Sequence, residues 1–244
     1  MHKGRLLFLL WLCLVVSGCV QNQHRDAAQA RLQLGLAWLE MADYAAAERN
    51  LLRAQAASPA DFRVQLALAR LRQAQGDLAQ ARHHYQQARN VAPNEGYVLN
   101  NYGAFLCGLG QYDEAHQQFI RARKLNQPGI NADSLALAGF CDLQRDKLDQ
   151  AKQQLTAALD ADRQKSVPML AEAERRFGKR EWGKTRLLLD IYQRSLPASA
   201  ESLWLEIRFA ALHGDTLNVT RYGDQLARNF PQSIQHQHFL ANEY

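Results

Sequence analysis

The chain has 244 residues, 47% of them hydrophobic and 22% charged, which is the balance of a globular chain and not of a low-complexity polymer. Its net charge of +5 is modest, and the only dense basic cluster is Arg175, Arg176, Lys179 and Arg180. With four cysteines and no Pro/Gly/Ser-rich linker, the composition excludes a disulfide-dense miniature scaffold and a chain of loosely strung domains.

The first segment reads as an export signal. Lys3 and Arg5 precede an apolar run from Leu6 to Val16, and Ser17-Gly18-Cys19 follows. That run is too short for a spanning helix, which needs about twenty apolar residues, but it has the charged, apolar and small-residue regions of a secretory signal. Val16-Ser17-Gly18-Cys19 resembles the lipobox of bacterial lipoproteins, in which cleavage precedes the cysteine. The resemblance implies a signal peptide over 1–18 and acyl chains on Cys19. No Asp follows the cysteine as an inner-membrane retention signal, so the expected site is the periplasmic face of the outer membrane. Residues 19–27 form a polar tether; at about 3.3 Å per residue it reaches under roughly 30 Å, which keeps the folded part beside the membrane.

Gly96 to Pro128 reads as two short helices around a tight turn. Leu99, Tyr102, Gly103 and Leu106 stripe the first, and Ala115, Phe119 and Ala122 the second. Gly110-Gln111-Tyr112-Asp113 turns the chain back, with Gly110 suited to a left-handed helix end, and Pro128 stops the second helix. A single hairpin has nothing to bury its apolar face against, and the chain repeats the unit. Small residues that open the second helix's packed face recur at Ala47, Ala81, Ala115, Ala151, Thr185 and Val219, in steps of 34 with one step of 36. Gly35, Ala69, Gly103, Gly139 and Ala173 recur on the first helices, facing Leu51, Tyr85, Phe119, Leu155 and Leu189 on the second. Small opposite large lets two helices approach closely.

This period is the tetratricopeptide length. It predicts an all-α, right-handed superhelical solenoid over 28–244. Its six repeats are 28–61, 62–95, 96–129, 132–165, 166–199 and 200–233, and a capping helix follows within 234–244. Two extra residues, Ile130-Asn131, are expected between the third and fourth repeats. Repeats five and six are degenerate, with Tyr192 and Leu226 in place of alanine and Ile207 and Gly223 breaking the small–large pairing.

The residues suggest no enzyme. HExxH, a phosphate-binding glycine loop and GxSxG are all absent. Asp142 and Asp146 lie one helical turn apart without a partner for acid/base work. His83-His84 and the His236/His238 pair read as solvated, so no metal and no cofactor are expected. Export and the lack of aromatic interleaving argue against nucleic acid, and the basic cluster reads as a solvated face.

Cys107 and Cys141 fall on the first helices of adjacent repeats, about 8–10 Å apart if stacked. They either form a disulfide, favoured by an oxidising periplasm, or fill tight packing as two small residues.

Tetratricopeptide solenoids bind partners along the face made by their first helices. In repeat one Leu32, Leu36 and Leu39 are expected to line it, with Leu34, Gly35 and Trp38 serving internal packing. Leu66 and Arg70 in repeat two and Tyr97 and Asn100 in repeat three continue the line. An exposed apolar patch of this kind marks an interaction surface.

A lipobox followed closely by six such repeats resembles the PilF/PilW family of type IV pilus biogenesis/stability lipoproteins. The third repeat's Asn100-Asn101-Tyr102-Gly103 and Gly110-Gln111-Tyr112-Asp113-Glu114-Ala115 carry the rest of the likeness. The resemblance implies an outer-membrane pilotin that binds the secretin subunit and promotes its multimerisation, hence pilus biogenesis and twitching motility. It implies a monomeric solenoid held by lipid at Cys19, and a cysteine pair that Cys107 and Cys141 match. The alternative is another outer-membrane repeat lipoprotein, an adaptor for peptidoglycan enzymes or for β-barrel assembly.

Overall fold

The structure, a computed structural model, describes residues 26–244, so the signal peptide, Cys19 and tether residues 19–25 lie outside the described residues. The described chain is helical with no strand. Helix α1 (26–40) pairs with α2 (Tyr44–Ala57), and α3 (Phe62–Ala74) with α4 (Leu78–Val91). Next come α5 (Gly96–Gly108) with α6 (Tyr112–Lys124), and α7 (Ile130–Gln144) with α8 (Leu148–Ala161). The last pairs are α9 (Ser166–Gly178) with α10 (Trp182–Ser195) and α11 (Ala200–Leu212) with α12 (Thr216–Asn229), before a short α13 (Ile234–Leu240). Backbone contacts group the chain into two compact units, one ending at Phe105 and the other starting at Leu106, so the division falls inside α5.

One turn is used in every hairpin. Ala42, Gly76, Gly110, Asp146, Arg180 and Gly214 all have positive φ, between 58° and 81°. The next residue donates its N–H back to a carbonyl five residues earlier: Asp43 to Trp38, Asp77 to Arg72, Gln111 to Leu106, Lys147 to Asp142, Glu181 to Arg176 and Asp215 to Ala210, at 2.9–3.0 Å. That is the left-handed C-terminal closure of a helix, and it satisfies carbonyls that would otherwise be orphaned. The same residue opens the second helix, where the Asp43, Asp77 and Asp215 carboxylates also accept from the backbone of the first turn.

The helices of a pair meet through the small–large contacts. A Cβ built on Gly35 would sit 2.5 Å from Leu51 Cδ2, and one on Gly139 would sit 2.6 Å from Leu155 Cγ and 3.2 Å from its backbone nitrogen. Gly139→Ala is therefore expected to destabilise. Overpacking costs about 1–3 kcal/mol, against about 1 kcal/mol gained in helix propensity, because a backbone atom and not only a flexible side chain is in the way. A lowered thermal midpoint is the expected reading; an unchanged or raised one would mean that Leu155 swings aside freely.

In the first unit α1, α2 and α3 share a core of Leu32, Ala47, Leu51, Ala54, Val64, Ala67, Leu68 and Leu71. The largest described core of the second unit runs from Leu143 and Leu155 through Met169, Leu188 and Leu189 to Leu205. The two inserted residues do not lie between repeats. Ile130 and Asn131 form the first turn of α7, which has 15 residues and starts after Gly129 at φ 75°, and Ile130 is buried. Where the fourth repeat lacks its closing proline, the Asp162 carboxylate caps a 3-10 turn, Arg163–Lys165. Gly223 does not leave a hole in the sixth repeat: the Phe239 ring of α13 occupies its space, and a Cβ there would meet Cζ at 2.0 Å.

Candidate functional site

Within the first unit, α1, α3 and the start of α5 border a cavity of about 180 Å³ lined by Gln29, Leu32, Leu36, Leu66, Arg70 and Tyr97, with Gln33, Arg63 and Ala67. Five of the seven residues expected to bind a partner thus meet at one place. The repeat explains why. Positions 29, 63 and 97 are equivalent, as are 32, 66 and 100, and 36 and 70, so each first helix presents the same face to the groove.

The floor is apolar. Leu32 is 2% exposed and Leu66 3%, while Leu36 is half-buried. The rim is polar and aromatic, made by Arg63, Arg70 and Tyr97, all exposed. The Asp61 carboxylate beside Arg63, at 2.6 Å, holds that guanidinium above its ordinary range. Arg70 pairs with Glu40 at 3.1 Å. Exposed pairs of this kind contribute only about 0–1 kcal/mol, so either arginine can exchange its partner for an incoming carboxylate. Below the groove burial pushes the Tyr85 phenol up to about 12, and its hydroxyl donates to Gln73 Oε1 at 3.1 Å. The cavity is smaller than the ~300–1,000 Å³ usual for cofactors and suits an inserted side chain.

Three expectations need correction. Asn100 shares the register of Leu32 and Leu66 and is 3% exposed, but it does not line the cavity. Leu39, next to the end of α1, packs on the core of α1, α2 and α3 and does not line the cavity. Leu34 and Trp38, expected inside, are 46% and 38% exposed; only Gly35 faces Leu51. Gln29 and Gln33 were missed, although Gln29 stands 34 residues before Arg63 in the same register.

The second unit holds a larger cavity that sequence reasoning missed, about 680 Å³, bordered by Val167, Leu170, Glu174, Glu201, Trp204 and Arg208. These residues fall in the groove register of repeats five and six, and applying that register beyond repeat three would have found them. Arg208 pairs with Glu174 at 2.6 Å and lies over the Phe177 ring.

Other candidates resolve into structure. Cys107 and Cys141 are joined in a disulfide, with Cα atoms 5.8 Å apart. Asp142 is buried against His116 Nε2 and Arg145, each at 2.9 Å, while Asp146 pairs with Lys184 at 2.7 Å. The basic cluster is not a freely solvated face: Arg176 is buried between Glu172 and Glu181, and Arg175 also pairs with Glu172. His84 Nδ1 contacts Gln65 Oε1, and burial holds that imidazole below its ordinary range. His236 Nδ1 bonds the Pro231 carbonyl, and His238 pairs with Glu243. Among the described residues no three His, Cys, Asp or Glu side chains are grouped to hold a metal, and no helix is long and apolar enough to cross a membrane.

No protein-family model matches the chain. It is 30% identical over 251 aligned positions to the type IV pilus assembly protein PilF of Pseudomonas aeruginosa, across 99% of both chains. The solved structure of Pseudomonas aeruginosa PilF superposes with a TM-score of 0.60 at 29% identity, covering 91% of this chain and 99% of that one. The crystal structure of PilW, a widely conserved type IV pilus biogenesis factor, also gives a TM-score of 0.60, at 24% identity over 87% of this chain and 98% of that one.

Proposed function

Because the chain belongs to the PilF/PilW family of type IV pilus biogenesis proteins, we propose that it is a lipid-anchored pilotin that captures a secretin subunit in the groove of its first unit. The observation that carries this reading is the groove itself: a leucine floor under a rim of two arginines and a tyrosine accepts an apolar side chain flanked by acidic residues. Acyl chains on Cys19 hold the protein at the periplasmic face of the outer membrane. Subunits bound there are confined near one surface, and their raised effective concentration favours ring assembly without covalent chemistry. The groove binds and the tether localises, and neither function calls for a catalytic group.

The test uses Leu36→Glu combined with Tyr97→Ala, both at positions that are not fully buried. In cells lacking the wild-type protein this variant is expected to cut heat-stable secretin multimers and surface pili about tenfold, the effect of losing about 1.4 kcal/mol of binding. Helical circular dichroism and membrane fractionation are expected to match wild type. Unchanged multimers would overturn the groove assignment, and multimers that persist after deletion of the whole protein would overturn the pilotin reading.

A further inference from the structure

Helix α1 has a second apolar face. Ala27, Ala30, Leu34, Ala37 and Trp38 are all exposed, and Met41, just past the helix end, is 72% exposed. At about 100° per residue these positions fall on one side of the helix, and Leu34 lies about 160° around from Leu36 of the groove. The stripe is therefore separate from the groove.

The equivalent face of α3 shows what such a surface needs. Leu68, the counterpart of Leu34, and Val64, the counterpart of Ala30, are buried in the core shared with Ala47, Leu51 and Ala54 of α2. A preceding repeat covers α3. No described repeat precedes α1, whereas the last repeat has α13, with Phe239 seated over Gly223. The N-terminal end thus presents apolar surface that the rest of the array keeps covered.

The sequence before α1 says what lies against it. Only residues 20–25 separate Cys19 from Asp26, and Val-Gln-Asn-Gln-His-Arg is too short and too polar to replace a helix. Seven Cα steps span at most about 25 Å, so acyl chains on Cys19 bring a bilayer within reach of the stripe. An apolar helical face that carries a tryptophan, here Trp38, has the make-up of a helix lying at the lipid interface.

We propose that the face formed by Ala27, Ala30, Leu34, Trp38 and Met41 is seated in the headgroup–acyl boundary of the membrane that carries the lipid anchor. This rests on the anchoring at Cys19 proposed above. The groove-bearing unit is then held against the bilayer by its first helix and not by the lipid anchor alone.

The test is made on full-length mature protein purified from membranes and reconstituted into phosphatidylethanolamine/phosphatidylglycerol vesicles with brominated acyl chains. Beyond the signal segment the tryptophans are Trp38, Trp182 and Trp204. Bromolipid is expected to quench wild-type emission, and the quenched share is expected to vanish in Trp38→Phe. Leu34→Glu with Met41→Glu is expected to lower the quenching while vesicle flotation is kept. Flotation with equal quenching in wild type and Trp38→Phe would overturn the placement and leave the anchor standing. Failure to float would overturn the anchor and the placement together. Trp38 shielded from acrylamide but untouched by bromolipid would mean a protein covers the face, either a second copy or another partner, and would also overturn the proposal.

Discussion

Replacing Cys107 and Cys141 together by alanine is expected to lower the thermal midpoint of the second unit by roughly 10 °C, and reductant is expected to do the same to the wild-type protein. The bond closes a loop with a sequence separation of 34, which contains the Gly110 turn, the whole of α6 and Gly129. Closing a loop of that length in the unfolded chain is worth on the order of 3–4 kcal/mol in the chain-entropy account. For a chain of this size each kcal/mol moves the midpoint by about 2–4 °C. Both cysteines are buried, so alanine leaves no hydroxyl in the core and the loss reports the cross-link. Helical circular dichroism followed on heating, with and without reductant, is the measurement. Coincident curves would show that the cross-link adds nothing to two first helices already held by their packing.

The fold was legible because a repeat is read several times over. One positive-φ turn residue proves little, but the 34-residue register aligns Gly76, Gly110 and Gly214 with Ala42, Asp146 and Arg180, and the structure gives all six the same backbone. The repeat also sets the small–large seam at Gly35 and Leu51 and at Gly139 and Leu155. Departures came where one residue serves two elements. Ile130 and Asn131 look like linker by period, yet burying Ile130 pulls them into α7. Gly223 looks like a lost contact inside its hairpin until Phe239, sixteen residues later, is placed over it.

The site was legible in part for a related reason. Period tells which residues share a face, but not which of those faces the next helix covers. The stripe through Leu32, Leu66 and Asn100 is correctly one surface, and its depth follows only from how closely neighbouring first helices approach. The opposite error occurred at Leu34 and Trp38. In an interior repeat a leucine at that position is core, as Leu68 is, and only the place of α1 at the end of the array leaves the face open. A periodic pattern cannot mark its own ends.

Removing one carboxylate from the second unit is expected to be strongly destabilising. Glu206 on α11 is 2% exposed and accepts from both terminal nitrogens of the Arg186 guanidinium, each at 2.7 Å, and from Gln193 Nε2 at 2.5 Å, while Arg186 Nε donates to Asp190 at 2.8 Å. Arg186 and Gln193 both lie on α10, so this carboxylate joins the fifth repeat to the sixth. Burial alone would pull the Arg186 guanidinium down; Glu206, with Asp190, outweighs it and leaves the group above its ordinary range. It stays charged at neutral pH whatever happens to its partner. Glu206→Ala then leaves the half-buried Arg186 cation beside the Phe209 ring with only the more exposed Asp190 carboxylate, 2.8 Å from its Nε, as partner, and the loss is expected near the low end, about 3 kcal/mol, of what breaking a buried pair costs. The cost comes from a cation left short of its buried partner, so removing both charges should restore most of it. Arg186→Met with Glu206→Leu is expected to fall within about 1–2 kcal/mol of wild type, since a buried ion pair is often matched by apolar residues of similar volume. Denaturant unfolding of the two variants separates the cases. Equal losses would mean that the pair itself, and not the avoidance of an under-partnered charge, holds α10 to α11.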